Sequence, residues 1–203
     1  MLETLNPGFD DAVTQSQHIF HQAMMALANP GKLHTLSALL HDAPKPLSPG
    51  AAAVVLALAD YETPLWLDAP LATSEAVCHY LRFHTGAAIV ENPNLATFAL
   101  ISAPEQLDIG FAQFSQGNAE YPDRSTTLIV QFYTIDASAG FQLTGPGIPE
   151  KRQLSFTPQP ANFLSHWQKN RAGFPCGIDL FGVAKAQLFG LPRSTKIEGA
   201  PCM

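Results

Sequence analysis

The segment CHYLRFHTG, residues 78–86, places a thiol, two imidazoles and a guanidinium within two and a half helical turns. Cys78 and Arg82 are four apart and share a face if the segment is helical. A cysteine beside a histidine is the arrangement of an activated thiol nucleophile. Here neither a partner to orient the base nor a set of oxyanion donors accompanies it, so no catalytic residue is assigned. Arg82, His84 and Thr85 instead suit an anchor for an anion or for a protein partner, because a guanidinium fork grips phosphate or carboxylate bidentately. LPRST, residues 191–195, repeats that chemistry with Arg193 beside two hydroxyls, Thr195 among them. These residues could hold a phosphate or seal a strand edge. In FPCGID, residues 174–179, Asp179 could cap an amide, pair with an arginine or bind a metal, and the first two are favoured. No spacing rule joins these segments into one pocket.

LTGPGI, residues 143–148, resembles a phosphate cradle but lacks the lysine and hydroxyl of a P-loop and the three glycines of a dinucleotide fingerprint. Pro146 also removes one amide that a cradle would use. Gly145 and Gly147 therefore read as a structural turn. His18 and His21 lie three apart, yet no H-E-x-x-H or adjacent carboxylate completes a metal site. No metal is expected.

The 203 residues can bury one substantial core, and a single domain spanning 1–203 is expected. Charged residues are only 14% of the chain, against about 25% in typical domains. Such a surface is poorly supplied with charge, which suggests burial against another subunit unless neutral polar residues carry the solvation. The net charge is −6 and no basic stripe appears, so nucleic acid is not an expected partner. Cys78, Cys176 and Cys202 form no C-x-x-C and no even set for a disulfide framework. With no signal-like start and no long apolar run, the expectation is a soluble, cytoplasmic protein without a membrane partner.

The elements that must position these residues begin with TQSQHIFHQAMMALANPG. Phe20, Met24 and Leu27 share a helical face that Val13 continues, and Asn29-Pro30-Gly31 stops the helix. His21 then flanks the inner face and His18 points away. Ser48 caps a second, mostly buried helix with Pro49 at its first turn. TPLWL, 63–67, reads as a core strand, followed by a helix from Thr73 to about Gly86. AAIV and ATFALIS read as strands, and Pro104 opens a short helix. STTLIVQFYTI, 125–135, reads as one long strand, DASAG as a turn and FQLTG as its hairpin partner. A helix over about 160–169 precedes a strand pair folded around Ala184 and Lys185. Early alternation and late hairpins predict an α/β fold with one mixed sheet covered by helices.

The ordered set FHQAMMALANPG, VVLALADYETPLWL, LRFHTGAAIV, STTLIVQFY, LTGPGI, FPCGIDLFG and LPRST resembles the PhnH family. That family is the phosphonate-metabolism subunit of the bacterial carbon–phosphorus lyase system, and the resemblance runs from about Gln17 to Thr195. It implies a three-layer α/β/α fold similar to the large domain of PLP-dependent transferases, but without PLP. No cofactor is implied, and Lys32, Lys45, Lys151, Lys169, Lys185 and Lys196 are not expected to form a Schiff base, since fold does not supply chemistry. It further implies a homodimer joined with PhnG, PhnI and PhnJ. The core subunits G, H and I, with PhnL, support transfer of methylphosphonate onto ribose, displacing adenine from ATP. The product is ribose 1-methylphosphonate 5-triphosphate. Radical cleavage of the carbon–phosphorus bond belongs to another subunit, and this chain lacks a cysteine cluster for an iron–sulfur centre. The alternative is a stand-alone phosphate-ester or nucleotide-processing enzyme with an arginine/histidine anion site. Against the family pattern, Phe20 is followed by His21 in place of arginine, Ser194 replaces a threonine, and a proline is missing after Gly86.

Overall fold

The computed structural model describes residues 6–37, 40, 42–107 and 109–199. Cys202 lies outside the described residues. The first helix, α1 (Ala12–Ala28), starts where the Asp11 carboxylate accepts the Thr14 amide at 3.1 Å. It stops at Asn29, and Gly31 follows with φ +71°. After β1 (His34–Thr35), Ser48 caps α2 (Pro49–Leu58) and Pro49 occupies its first turn. Gly50 to Val55 are all buried, so this helix is apolar all round as a core helix must be. β2 (Leu65–Leu67) leads into the single turn α3 (Ala69–Ala72). Next comes α4 (Glu75–Thr85), capped by Ser74 and ended by Gly86 at φ +72°.

Phe98–Ile101 is β3, Thr127–Gln131 is β4, Thr134–Thr144 is β5 and Arg152–Thr157 is β6. The chain closes with α5 (Phe163–Ala172), β7 (Asp179–Ala184), β8 (Gln187–Leu191) and β9 (Lys196–Glu198). Six strands form one sheet in the order β1-β8-β7-β4-β3-β2, and β6-β5-β9 form a second. β2, β3, β4 and β7 are parallel, whereas β8 and β1 are antiparallel additions. The expected mixed sheet is present.

One face of the large sheet packs on α1, α2 and α4 through Ile19, Val54, Val55, Leu81, Leu100, Ile129 and Phe181. The other face buries Ala99, Leu128, Val130, Leu180 and Phe189 against the small sheet and α5. Aromatic rings fill this second core: Phe156 lies 5.0 Å from Phe163, 4.7 Å from Phe132 and 5.4 Å from Phe189. The third layer is therefore part sheet, part helix, and not the purely helical one expected.

Three other expectations change. The run 125–135 divides: Phe132 still donates its amide to Val183 of the large sheet, but Tyr133 donates to Thr157 of the small one. β4 and β5 consequently belong to different sheets, and FQLTG pairs with β6 and β9. Residues 136–140 continue β5 through an irregularity in register between Asp136 and Phe141, where the sequence suggested a turn. AAIV contributes only an isolated bridge from Ile89 to Leu65.

The face of α1 is also reversed. Ile19, Ala23 and Ala26 are buried, while Val13, Phe20 and Met24 are half-exposed or more. The cause is close backbone contact. A Cβ on Gly190 of β8 would come within 2.7 Å of the Ala26 main chain, so a small residue is required where α1 crosses β8, while Ile19 fills the space further along the helix.

Candidate functional site

Arg193 follows β8, and every one of its five guanidinium N–H groups can be assigned an acceptor. Nε donates to Asp179 Oδ1 at 3.1 Å and Nη2 to Asp179 Oδ2 at 2.5 Å and Ser125 Oγ at 2.6 Å. Nη1 donates to the carbonyls of Pro122 at 2.6 Å and Pro175 at 3.4 Å. The Arg193 backbone amide adds a bond to Asp179 Oδ1 at 2.7 Å. This guanidinium is therefore occupied as a bracket between the start of β7, the exit of β8 and two loops. Thr195 is fully buried, and its Oγ1 has no hydrogen-bond partner among the described residues. Its carbonyl accepts the Trp167 Nε1 proton at 2.9 Å.

Arg82, His84 and Thr85 belong to a different network. His84 Nε2 meets the Asn6 carbonyl at 3.1 Å, and its ring tilts on Tyr80 at 4.5 Å. Tyr80 in turn donates to the Pro7 carbonyl at 3.3 Å, so the helix end holds down the N-terminal segment. Burial, helped by the charge of Asp42, pushes the Tyr80 phenol up to about 12. Thr85 Oγ1 donates to Leu81 at 2.7 Å and accepts from Ala87 at 3.0 Å. Arg82 is exposed. Cys78 Sγ lies 3.5 Å from the Ala72 carbonyl and is directed at α3. His18 bonds Ser37 Oγ at 2.8 Å and His21 is exposed. Among the described residues no three His, Cys, Asp or Glu side chains cluster as metal ligands.

LTGPGI forms the bend between β5 and β6. Gly147 has φ +81°, and a Cβ there would lie 2.3 Å from the Ala28 carbonyl. Arg152 Nη1 also donates to the carbonyls of Asn29 and Pro30, so this bend is stapled to the end of α1. Gly145 has φ +132° and faces the Ser194 carbonyl.

The carboxyl end of the parallel strands, the usual ligand edge of α/β sheets, is closed by internal bonds. Asp68 is buried and accepts the amides of Ser102 at 2.6 Å, Ala103 at 2.9 Å and Leu71 at 3.3 Å. Gln131 accepts the Ser48 amide at 2.6 Å and donates to the Pro46 carbonyl at 3.1 Å. The parallel strands also run β2-β3-β4-β7 without reversal, so no switch-point crevice opens there. Neither residue was singled out from the sequence, although Asp68 followed by Pro70 is a helix-start signal. One shallow cleft of about 260 Å³ lies between Phe111 and α5, with His166 and Lys169 on its rim. A second of about 280 Å³ lies at the amino end, between Leu95 and Arg124.

These features define a mixed-sheet α/β protein whose conspicuous polar side chains mostly bind the protein itself. The profile of the family described as "Bacterial phosphonate metabolism protein (PhnH)" matches residues 7–198, and the chain belongs to that family. It is 38% identical over 190 residues to the "Alpha-D-ribose 1-methylphosphonate 5-triphosphate synthase subunit PhnH" of Rhizobium meliloti (strain 1021), covering 94% of each chain. It is also 31% identical over 86 residues to the "Putative C-P lyase subunit protein HtxG" of Stutzerimonas stutzeri, covering 40% of this chain and 42% of that one. No helix among the described residues is long and apolar enough to cross a membrane.

Proposed function

We propose that the chain is a subunit of a carbon–phosphorus lyase core assembly. It supports formation of ribose 1-methylphosphonate 5-triphosphate from ATP and methylphosphonate. The observation that carries this reading is the 38% identity to the Rhizobium meliloti subunit over 94% of each chain. The whole chain acts as one domain, in the cytoplasm, as a homodimer joined to PhnG, PhnI and PhnJ. The exposed Val13, Phe20 and Met24 stripe on α1 supports self-association, because a helix with two apolar faces has one left to cover. A mostly parallel sheet with an antiparallel edge supports kinship with the large domain of PLP-dependent transferases. Within this reading Arg82 is offered at the surface to an anion or a partner, with part-buried His84 and Thr85 behind it, while Asp179, Arg193 and Thr195 act as interface anchors from beneath.

The test is adenine release from ATP and methylphosphonate by the reconstituted subunits, with and without this chain. Release that depends on the chain is expected. Turnover by the isolated protein would instead favour a stand-alone phosphate-ester or nucleotide-processing enzyme.

A further inference from the structure

Each of the four parallel strands is preceded by a connection that exposes a large apolar side chain. Tyr61 precedes β2, Leu95 precedes β3, Tyr121 precedes β4 and Phe174 precedes β7, with exposures between 40% and 76%. The registers align Leu65, Phe98, Thr127 and Asp179 across the sheet, so all four connections meet at its amino end. Their order in space is Tyr61, Leu95, Tyr121, Phe174, across four strands spanning about 14 Å. The end of α4 reaches the same place, since a Cβ on Gly86 would lie 3.5 Å from Tyr61 Cβ. Four of the ten large exposed apolar side chains among the described residues thus lie at one end of one sheet.

The edge is built and held. Thr97 donates to the Pro64 carbonyl and Thr127 to the Thr97 carbonyl, which fixes neighbouring connections to each other. Arg193 Nη1 spans the Pro122 and Pro175 carbonyls, one residue from Tyr121 and one from Phe174 respectively. The 280 Å³ hollow between Leu95, Asp123 and Arg124 sits in the middle and has room for one anchoring side chain.

Charge decides what kind of partner fits. Glu91 precedes β3 and Glu120 and Asp123 precede β4, all exposed, with Arg124 stacked on Tyr121 at 4.2 Å. A two-fold axis through the row would lay the β3 and β4 connections of one copy on those of the other, opposing Glu91 to Glu120 and Asp123, with the Arg124 guanidinium already engaged on the Tyr121 ring. Three carboxylates against one guanidinium leave the centre net negative, which disfavours a second copy of this chain and repels nucleic acid.

We infer that the amino end of the parallel sheet is a docking surface for a different protein, one presenting an apolar anchor flanked by lysine or arginine. This rests on the subunit reading above and gives Arg193 its role, which is to position the β4 and β7 connections from beneath.

The test compares full-length wild type with Leu95→Asp/Phe174→Asp and with Glu91→Lys/Asp123→Lys, each measured for affinity to the co-expressed PhnG, PhnI and PhnJ. Both double variants should bind about thirtyfold more weakly, the scale of losing an interface hot spot. Wild-type affinity should fall several-fold between about 0.1 and 0.5 M salt. Light scattering of the chain alone and its melting temperature should not move, since the altered residues are exposed. Failure of the wild type to associate would remove the subunit reading itself. Wild-type association that survives both double variants would overturn this inference alone. Loss of self-association in the variants would make the edge the twin contact and overturn it as well.

Discussion

Arg193 and Asp179 meet through two parallel contacts, Nε to Oδ1 at 3.1 Å and Nη2 to Oδ2 at 2.5 Å. They tie the exit of β8 to the start of β7 with side chains only 13% and 17% exposed. A forked pair in that setting fixes geometry, because both oxygens and the guanidinium plane must align. Replacing either member leaves the other partly buried without its partner.

Arg193→Lys keeps the charge and removes the fork. Unfolding stability is expected to fall by about 1.5–3 kcal/mol, the scale of losing hydrogen bonds to a charged group. A urea titration should show a lower midpoint with unchanged slope. An unchanged midpoint would mean that the bracket contributes nothing to the fold.

Ile19 and Phe20 are neighbours in sequence with opposite fates. Ile19→Ala removes a fully buried side chain and should cost about 2–5 kcal/mol. Phe20→Ala is expected to stay within about 0.5 kcal/mol of wild type in chain stability. If Phe20 contributes to the proposed dimer, Phe20→Asp should lower the scattering mass at equal concentration. The reverse order of stabilities would reject the orientation of α1.

Gly147→Ala tests the bend. A Cβ at φ +81° is strained, and here it would also press on the Ala28 carbonyl at 2.3 Å. A loss of about 2 kcal/mol or more is expected, since the end of α1 or the β5–β6 bend must shift. Thermal melts of the variant and wild type decide it.

His34 predicts a pH response. Its ring is buried, its Nδ1 lies 3.3 Å from Gln22 Oε1, and its Nε2 has no hydrogen-bond partner among the described residues. Burial, with the nearby charges of Lys32, Arg152 and His21, holds the imidazole below its usual 6.5. The unfolded chain therefore takes up this proton first as pH falls. The stability is fully present above about 6.5 and is lost as pH drops from there through the lowered folded value. His34→Gln should shrink the difference in melting temperature between pH 7.5 and pH 5.5. An unchanged difference would assign the acid sensitivity to other groups.

Local signals placed most of the elements that hold the site. Ser48 with Pro49, Asn29-Pro30-Gly31 and the turn at Lys185 act within a few residues, so their meaning survives without knowledge of the fold. The α1 face did not survive. Periodicity favours the stripe with the largest apolar residues, but the glycine at position 190 draws β8 so close that Ala23 and Ala26 must turn inward. Likewise, nothing in TLIVQFYTI marks the step at Phe132 and Tyr133 from one sheet to the other, because every residue there suits a strand.

By itself, the sequence determined the class: an α/β chain with a mixed sheet, its caps and turns, and an ordered set of motifs shared with one family. It could also name Arg82, Asp179 and Arg193 as side chains with useful chemistry. Only the tertiary structure decided which donors remain available, because hydrogen-bond partners such as Ser125 and the carbonyls of Pro122 and Pro175 lie far from Arg193 along the chain. It also decided that apolar residues scattered from Tyr61 to Phe174 share one edge, since strand order is set by long-range pairing that no local pattern encodes.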